Sequence, residues 1–134
     1  MTAYSGTPLP QKLGIREGHV VVMVGAPATF SLGTLPTGVT LKRRLAGHEL
    51  DVLVVFVKRR AELVERIAAC RPRMAQAGGL WIAWPKKASG VATDILEDTI
   101  REVALPTGLV DNKVCAIDET WSGLRLVIRR ALRT

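Results

Sequence analysis

Two unbroken apolar runs constrain the fold of this chain more than any other feature of its sequence. Residues 19–24 and 51–57 consist almost wholly of valine and other apolar residues, without the polar alternation of a strand that is wetted on one face. Such runs are typical of strands buried on both faces of a parallel sheet. Both are far shorter than the ~20 residues that cross a bilayer, so no membrane span is expected.

The rest of the chain alternates between helix and strand patterns. Helices are predicted at residues 8–14, 59–74 and 94–105, and strands at 39–45, 80–84, 110–117 and 124–128. Asp94 and Glu97 have the spacing of a capping box, which places the start of the third helix at Asp94. Residues 28–38 are rich in Gly, Pro, Ser and Thr and are predicted to form a loop.

This alternation predicts one α/β domain over residues 1–134. Right-handed crossovers imply a mostly parallel sheet with flanking helices, and the last two strands are predicted to form a C-terminal antiparallel hairpin. Because the segment between the first two strands is short, the domain is expected to be a truncated Rossmann-like fold.

The charge and the cysteine content limit which classes of protein this chain can belong to. The chain has 19 Lys and Arg against 12 Asp and Glu, a formal net charge of +7, but its basic residues are dispersed and its aromatic residues are few. Nucleic-acid binding is therefore expected to be weak and nonspecific. The N-terminus lacks the apolar stretch of a signal peptide, and Cys70 and Cys115 form no close-spaced motif, so reduced thiols in the cytoplasm are expected.

Three segments carry a resemblance to a known family. They are residues 4–9 (YSGTPL), 80–87 (LWIAWPKK) and 109–124 (LVDNKVCAIDETWSGL). Together they closely resemble a bacterial family catalogued as domain of unknown function 3052, and the resemblance covers nearly the whole chain. It implies no activity, substrate or catalytic residue.

A weaker resemblance is to methyltransferases with a Rossmann-like fold. Residues 13–22 (LGIREGHVVV) look like the entry into their first strand, and residues 78–82 (GGLWI) look like the turn into their fifth. Those enzymes hold their cofactor with a glycine-rich loop after strand one and an acidic residue after strand two. Here Pro27 interrupts the first loop, and Arg43 and Arg44 follow the second strand, with no carboxylate until Glu49. The scaffold is therefore expected to bind no cofactor.

Other chemistries find little support in the sequence. No P-loop pattern is present, and His19 and His48 lack the partners of a zinc site. Cys115 is predicted to be a buried, inert thiol in a strand. Asp118 and Glu119 are adjacent, and adjacent side chains on an extended backbone point to opposite faces. No catalytic residue and no metal site are predicted.

One candidate ligand site remains, at the predicted carboxyl ends of the strands, where open parallel sheets bind their ligands. The candidate residues are Trp84, Lys86, Lys87, Ser89, Gly90, Thr93, Trp121 and Ser122. Two lysines and the free N–H groups of the following helix would favour an anion. The alternative is that both indoles pack the rim of the core while the lysines are solvated.

Three functions stay open. The favoured hypothesis is a non-catalytic binding or regulatory module on a methyltransferase-like scaffold that lacks the cofactor motif, with a protein as its partner. The second is a protein or enzyme that binds a small anionic metabolite at the cationic strand ends. The third is weak, nonspecific nucleic-acid association.

Overall fold

Six strands form one mixed sheet in the computed structural model, which describes residues 6–134. They are β1 (Val20–Val24), β2 (Thr40–Lys42), β3 (Leu50–Phe56), β4 (Met74–Pro85), β5 (Leu109–Ala116) and β6 (Trp121–Ile128). Their order in the sheet is β2-β1-β3-β4-β6-β5. The first four strands pair in parallel, whereas β6 is antiparallel to both β4 and β5. The mostly parallel sheet and the closing hairpin are thus confirmed.

The helices are short and few. They are α1 (Leu9–Lys12), α2 (Arg60–Cys70) and α3 (Glu97–Ala104), with single 3-10 turns at Arg71–Arg73, Lys87–Ser89, Leu105–Thr107 and Arg130–Leu132. None of the helices in the described part of the chain is long and apolar enough to cross a bilayer.

Buried side chains on the two faces of the sheet form two cores. The helix-side core packs Leu63 and Ile67 of α2 and Ile100 of α3 against one face. The loop-side core packs Leu13 and Leu32 against the other. Successive residues of β1 and β3 contribute to alternate cores, which explains their unbroken apolar runs. Full burial of each such valine or leucine contributes about 1.5–3 kcal/mol.

The truncation lies at one end of the sheet. The common doubly wound order is 3-2-1-4-5-6, and here no described strand lies beyond β2. Residues 25–39, which connect β1 to β2, contain no helix and form the predicted loop. Phe30, Leu32 and Leu35 of this loop nevertheless pack on the loop-side core, so they cover the face that a crossover helix would cover.

The predicted start of the third helix was wrong. α3 begins at Glu97, not at Asp94, because the Asp94 carboxylate accepts a hydrogen bond from the N–H of Arg60 at 2.7 Å. Arg60 is the first residue of α2, so Asp94 caps a helix that precedes it in the chain. The Thr99 hydroxyl instead accepts the N–H of Leu96 at the start of α3.

Several other boundaries also differ from the predicted ones. α2 ends at Cys70 instead of 74, since Pro72 lies in a 3-10 turn, and β2 is only three residues long because it pairs only with the first part of β1. β4 starts at Met74 and includes Gly78 and Gly79, which were predicted to form a turn. A Cβ at Gly78 would lie 2.7 Å from the carbonyl oxygen of Leu50, so glycine allows close strand approach here.

Candidate functional site

The strand order reverses at the carboxyl end of β1, which lies between β2 and β3. This switch point is where open α/β sheets bind ligands. Gly25 follows β1 with a φ of 76°, and a Cβ at this position would lie 2.8 Å from the carbonyl oxygen of Phe56. The ends of β1 and β3 are therefore in close contact, and the residue between them must be glycine.

A cavity of about 560 Å³ opens beside this contact, and we name it the carboxyl-edge pocket. Its apolar lining includes Phe30, Ile117 and Trp121. Both Phe30 and Trp121 pack edge-to-face on Phe56, with ring centroids 4.9 and 5.0 Å away, so the aromatic lining is held rigidly. Its polar lining includes Lys58 and Asp118.

The charged groups around this pocket differ in whether they already bind other groups of the protein or are free to bind a ligand. Asp118 accepts the N–H groups of Thr120 and Trp121, both at 2.8 Å, and so closes the β5–β6 turn. The Lys86 ammonium donates to the carbonyl oxygen of Asp118 at 2.6 Å. The Lys58 ammonium is exposed and has no hydrogen bond or ion pair within residues 6–134. Lys58 is therefore the cation best placed to meet a ligand in this pocket.

The two tryptophans of the predicted site do not share a surface. Trp84 lies in the helix-side core and Trp121 in the loop-side core, on opposite faces of the sheet. Both are more than nine-tenths buried, at 7% and 5% exposure. Ser122 pairs with Trp84 across the β4–β6 ladder. Of the eight predicted residues, only Trp121 lines the carboxyl-edge pocket.

The hydroxyls of the predicted anion site bind the chain itself. Ser89 accepts the N–H of Val91 at 3.2 Å and donates to the carbonyl oxygen of Lys86 at 2.6 Å. Thr93 accepts the N–H of Ile95 at 3.1 Å and donates to the carbonyl oxygen of Lys58 at 2.6 Å. Lys87 and Gly90 are exposed. Anion binding at Lys86, Lys87 and residues 89–93 stays a prediction, and it would have to compete with these bonds.

The remaining reactive groups are structural in character. Cys115 is half-buried, and burial raises the pKa of its thiol despite the nearby Lys12 and Lys113. Burial also raises the pKa of the Cys70 thiol, to about 11. The described residues contain no group of three or more His, Cys, Asp or Glu side chains that could hold a metal ion.

Comparison with known proteins identifies the family. The profile of a family described as "Protein of unknown function (DUF3052)" matches residues 37–130. This is more than half of the chain. The chain belongs to the DUF3052 family. The matched part of this DUF3052 chain includes β2 to β6 and both tryptophans of the predicted site. No curated protein matches it by sequence.

Solved structures with the same fold are methyltransferases. A SAM-dependent methyltransferase from Aquifex aeolicus aligns with a TM-score of 0.63 at 14% identity, over 88% of this chain and 86% of that one. A putative type 11 methyltransferase from Sulfolobus solfataricus has a TM-score of 0.60 at 10% identity, over 94% and 92%. Fibrillarin from Aeropyrum pernix, solved with S-adenosyl-L-methionine, has a TM-score of 0.57 at 12% identity, over 94% and 71%. These likenesses establish a Rossmann-like methyltransferase fold.

The residues of this DUF3052 chain do not fit S-adenosylmethionine. No helix lies between β1 and β2, so the loop after β1 offers no helix N-terminus, and the N–H of Phe30 already donates to the carbonyl oxygen of Pro27. Arg43 and Arg44 follow β2 where an acidic ribose partner would be needed. Glu49 directly precedes β3, so it lies at the opposite edge of the sheet.

Sequence reasoning placed Trp121 at the strand ends but missed Phe30, the other aromatic residue of the lining. Phe30 is the one large aromatic residue in a polar loop, and that contrast was the available signal. Its contact with Phe56 depends on how residues 25–39 fold back on the sheet, which no local pattern encodes.

Proposed function

We propose that this DUF3052 domain is a non-catalytic binding module that regulates through a ligand held in the carboxyl-edge pocket. One observation carries the proposal: a pocket of about 560 Å³ lies at the switch point of the sheet, while the described loops beside it lack the groups that hold a methyl-donor cofactor. The scaffold keeps a place for a ligand without the apparatus for methyl transfer.

The pocket chemistry favours an aromatic or otherwise apolar ligand that carries one negative group. The half-buried Phe30, held against Phe56, offers aromatic surface, and the Lys58 ammonium offers one charge without a described acidic partner. An apolar body with a single charge would use both features.

The absence of a placed acid–base pair supports the non-catalytic part of the proposal. Asp118 is the only carboxylate among the described residues that line the pocket, and these residues include no His, Cys or Tyr as a second acid or base. General acid–base catalysis needs a group that is free to exchange a proton with the substrate. We also propose a cytoplasmic location, and the free thiols of Cys70 and Cys115 are compatible with a reducing compartment.

Titration with benzoate, followed by amide NMR, tests the pocket. Benzoate has the ring and the single charge that the lining favours, so we expect saturable shifts at Phe30, Lys58 and Trp121. Lys58→Gln should weaken binding about threefold to tenfold through loss of a charged hydrogen bond, whereas the matched control Arg129→Gln, at an exposed position after β6, should leave it unchanged. Shifts that do not saturate, or that fall equally in both variants, would refute the proposed ligand class.

A further inference from the structure

A second cavity lies at the opposite edge of the sheet, where β1 and β3 begin. Its volume is about 580 Å³, and we name it the amino-edge pocket. The described residues that line it include four permanent cations, Lys12, Arg16, Lys113 and Arg125, and one carboxylate, Asp51. Because cations outnumber carboxylates here, the cavity carries a positive potential.

The single carboxylate is already engaged. Asp51 Oδ2 accepts the N–H of Val20 at 2.8 Å, which ties the start of β3 to the start of β1. The Asp51 carboxylate also forms no ion pair within residues 6–134. The net positive charge of the cavity is therefore not cancelled from within the described chain.

Arg125 is the residue most clearly built into this cavity. It lies in β6 directly opposite Trp81 of β4, and its side chain passes over Gly79. A Cβ at Gly79 would lie 2.5 Å from Arg125 Nε and 2.9 Å from Cζ, so the guanidinium rests against bare backbone. A residue with a side chain at position 79 would displace it.

The Arg125 guanidinium has no hydrogen bond or ion pair among the residues that the structure describes. It is about half-buried, and burial together with the nearby Arg133 lowers its pKa. A partly desolvated cation without a counter-charge is costly, and a bound anion would relieve that cost.

Two irregularities in the sheet shape the cavity. The β5–β6 register shifts between Asp111 and Lys113, which leaves Asn112 outside the ladder and lining the pocket. The β3–β4 register shifts between Leu50 and Val52, and Ala77 from the displaced part of β4 also lines the pocket. Bulges of this kind redirect side chains and are common beside binding sites.

We propose that the amino-edge pocket binds a phosphorylated small molecule, with Arg125 as its central contact. The planar guanidinium matches two phosphate oxygens at once, and Lys113 and Arg16 supply further positive charge around it. The pocket volume suits a ligand of metabolite size. This site is separate from the carboxyl-edge pocket and does not depend on the function proposed there.

Pyrophosphate, titrated at constant ionic strength and followed by amide NMR, tests this site. Saturable shifts are expected at Gly14, Arg16, Asn112, Lys113 and Arg125. Arg125→Gln should weaken pyrophosphate binding about tenfold or more, because it removes charged hydrogen bonds. The matched control is Arg129→Gln, which removes the same charge from an exposed position at the end of β6 and should leave the affinity unchanged.

Gly79→Ala offers a second variant that alters no charge. Its Cβ should push the guanidinium out of place and weaken pyrophosphate binding by a factor similar to that of Arg125→Gln. If either of these variants fails to fold, the exposed Lys113→Gln replaces it, with an expected loss of about twofold to fivefold.

Three results would overturn the proposal. The first is pyrophosphate binding that is unaffected by Arg125→Gln in a folded protein. The second is an equal loss in Arg125→Gln and Arg129→Gln, which would indicate only a general effect of net charge. The third is a short oligonucleotide that binds the same residues more tightly than pyrophosphate, which would make the cavity part of a nucleic-acid surface.

Discussion

The two edges of the sheet differ in the burial of the cations that they leave without a partner. At the carboxyl edge, the Lys86 ammonium, the Asp118 carboxylate and the Thr93 hydroxyl bind backbone groups of the protein itself. At the amino edge, the Lys12 and Lys113 ammonium groups and the Asp51 carboxylate likewise bind backbone groups. The half-buried Arg125 guanidinium, however, has no partner within the described chain, whereas the unpartnered Lys58 ammonium of the carboxyl edge is exposed. The topology of a parallel sheet predicts where a crevice forms, but the local partners of each charge decide which chemistry that crevice offers.

The carboxyl edge takes its character from the connection between β1 and β2. A crossover helix after β1 would present free N–H groups at the switch point, and residues 25–39 instead form a loop that covers the loop-side core. The carboxyl-edge pocket thereby has an aromatic lining with one cation, Lys58, and one carboxylate, Asp118. The amino edge gathers cations because α1, β5 and β6 all bring basic residues to it.

The largest expected effect is on the close contact at the carboxyl edge. Gly25→Ala should lower the free energy of unfolding by about 2–3 kcal/mol, because it combines left-handed strain with a clash against the carbonyl oxygen of Phe56. Gly33→Ala is the matched control: its φ is 84° with nothing within 4 Å of the new Cβ, so about 1 kcal/mol is expected. Denaturant unfolding measures both, and equal losses would show that the β1–β3 contact carries no extra cost.

The next effect concerns the thiol at the end of α2. Cys70 keeps its proton up to about pH 11 in the folded chain, whereas its ordinary pKa is 9.0. Between these values unfolding releases a proton, so the free energy of unfolding should fall as pH rises from about 9 to about 11, by about 2 kcal/mol from this group. Cys70→Ala should lose this part of the pH slope. An unchanged slope in that variant would contradict the assignment.

The smallest expected effect is on the cap that links residues 86–95 to α2. Asp94→Ala should lower the free energy of unfolding by about 1 kcal/mol, because the N–H of Arg60 loses its acceptor. Asp94→Asn keeps an oxygen acceptor and should retain most of the stability. Amide exchange at Arg60 provides the local measurement, and unchanged exchange in Asp94→Ala would argue against the cap.

The sequence predicted the fold correctly where burial determines the pattern of apolar and polar residues. The apolar runs of β1 and β3 predicted strands buried on both faces. The composition of residues 28–38 predicted a loop, and the structure has a loop without a helix there. Asp94 misled because its three-residue spacing to Glu97 is local, whereas its real partner is Arg60, 34 residues away. The sequence around Arg125 did not indicate a binding residue, since the position of its side chain depends on Gly79 in a neighbouring strand.

The candidate site was predicted only in part, for the same reason. The strand ends were located correctly, but the side on which Trp84 and Trp121 lie depends on the register between β4 and β6. The amino-edge pocket was missed because the rule for parallel sheets directs attention to the carboxyl ends alone.

Calorimetric titration of S-adenosylmethionine into the folded protein tests the central claim most directly, namely that this methyltransferase-type scaffold lacks a cofactor site. With no helix N-terminus after β1 and with Arg43 and Arg44 after β2, we expect no stoichiometric heat of binding at micromolar concentrations of the protein. A saturable, one-to-one response with low-micromolar affinity would contradict the claim and make the carboxyl-edge pocket a cofactor site.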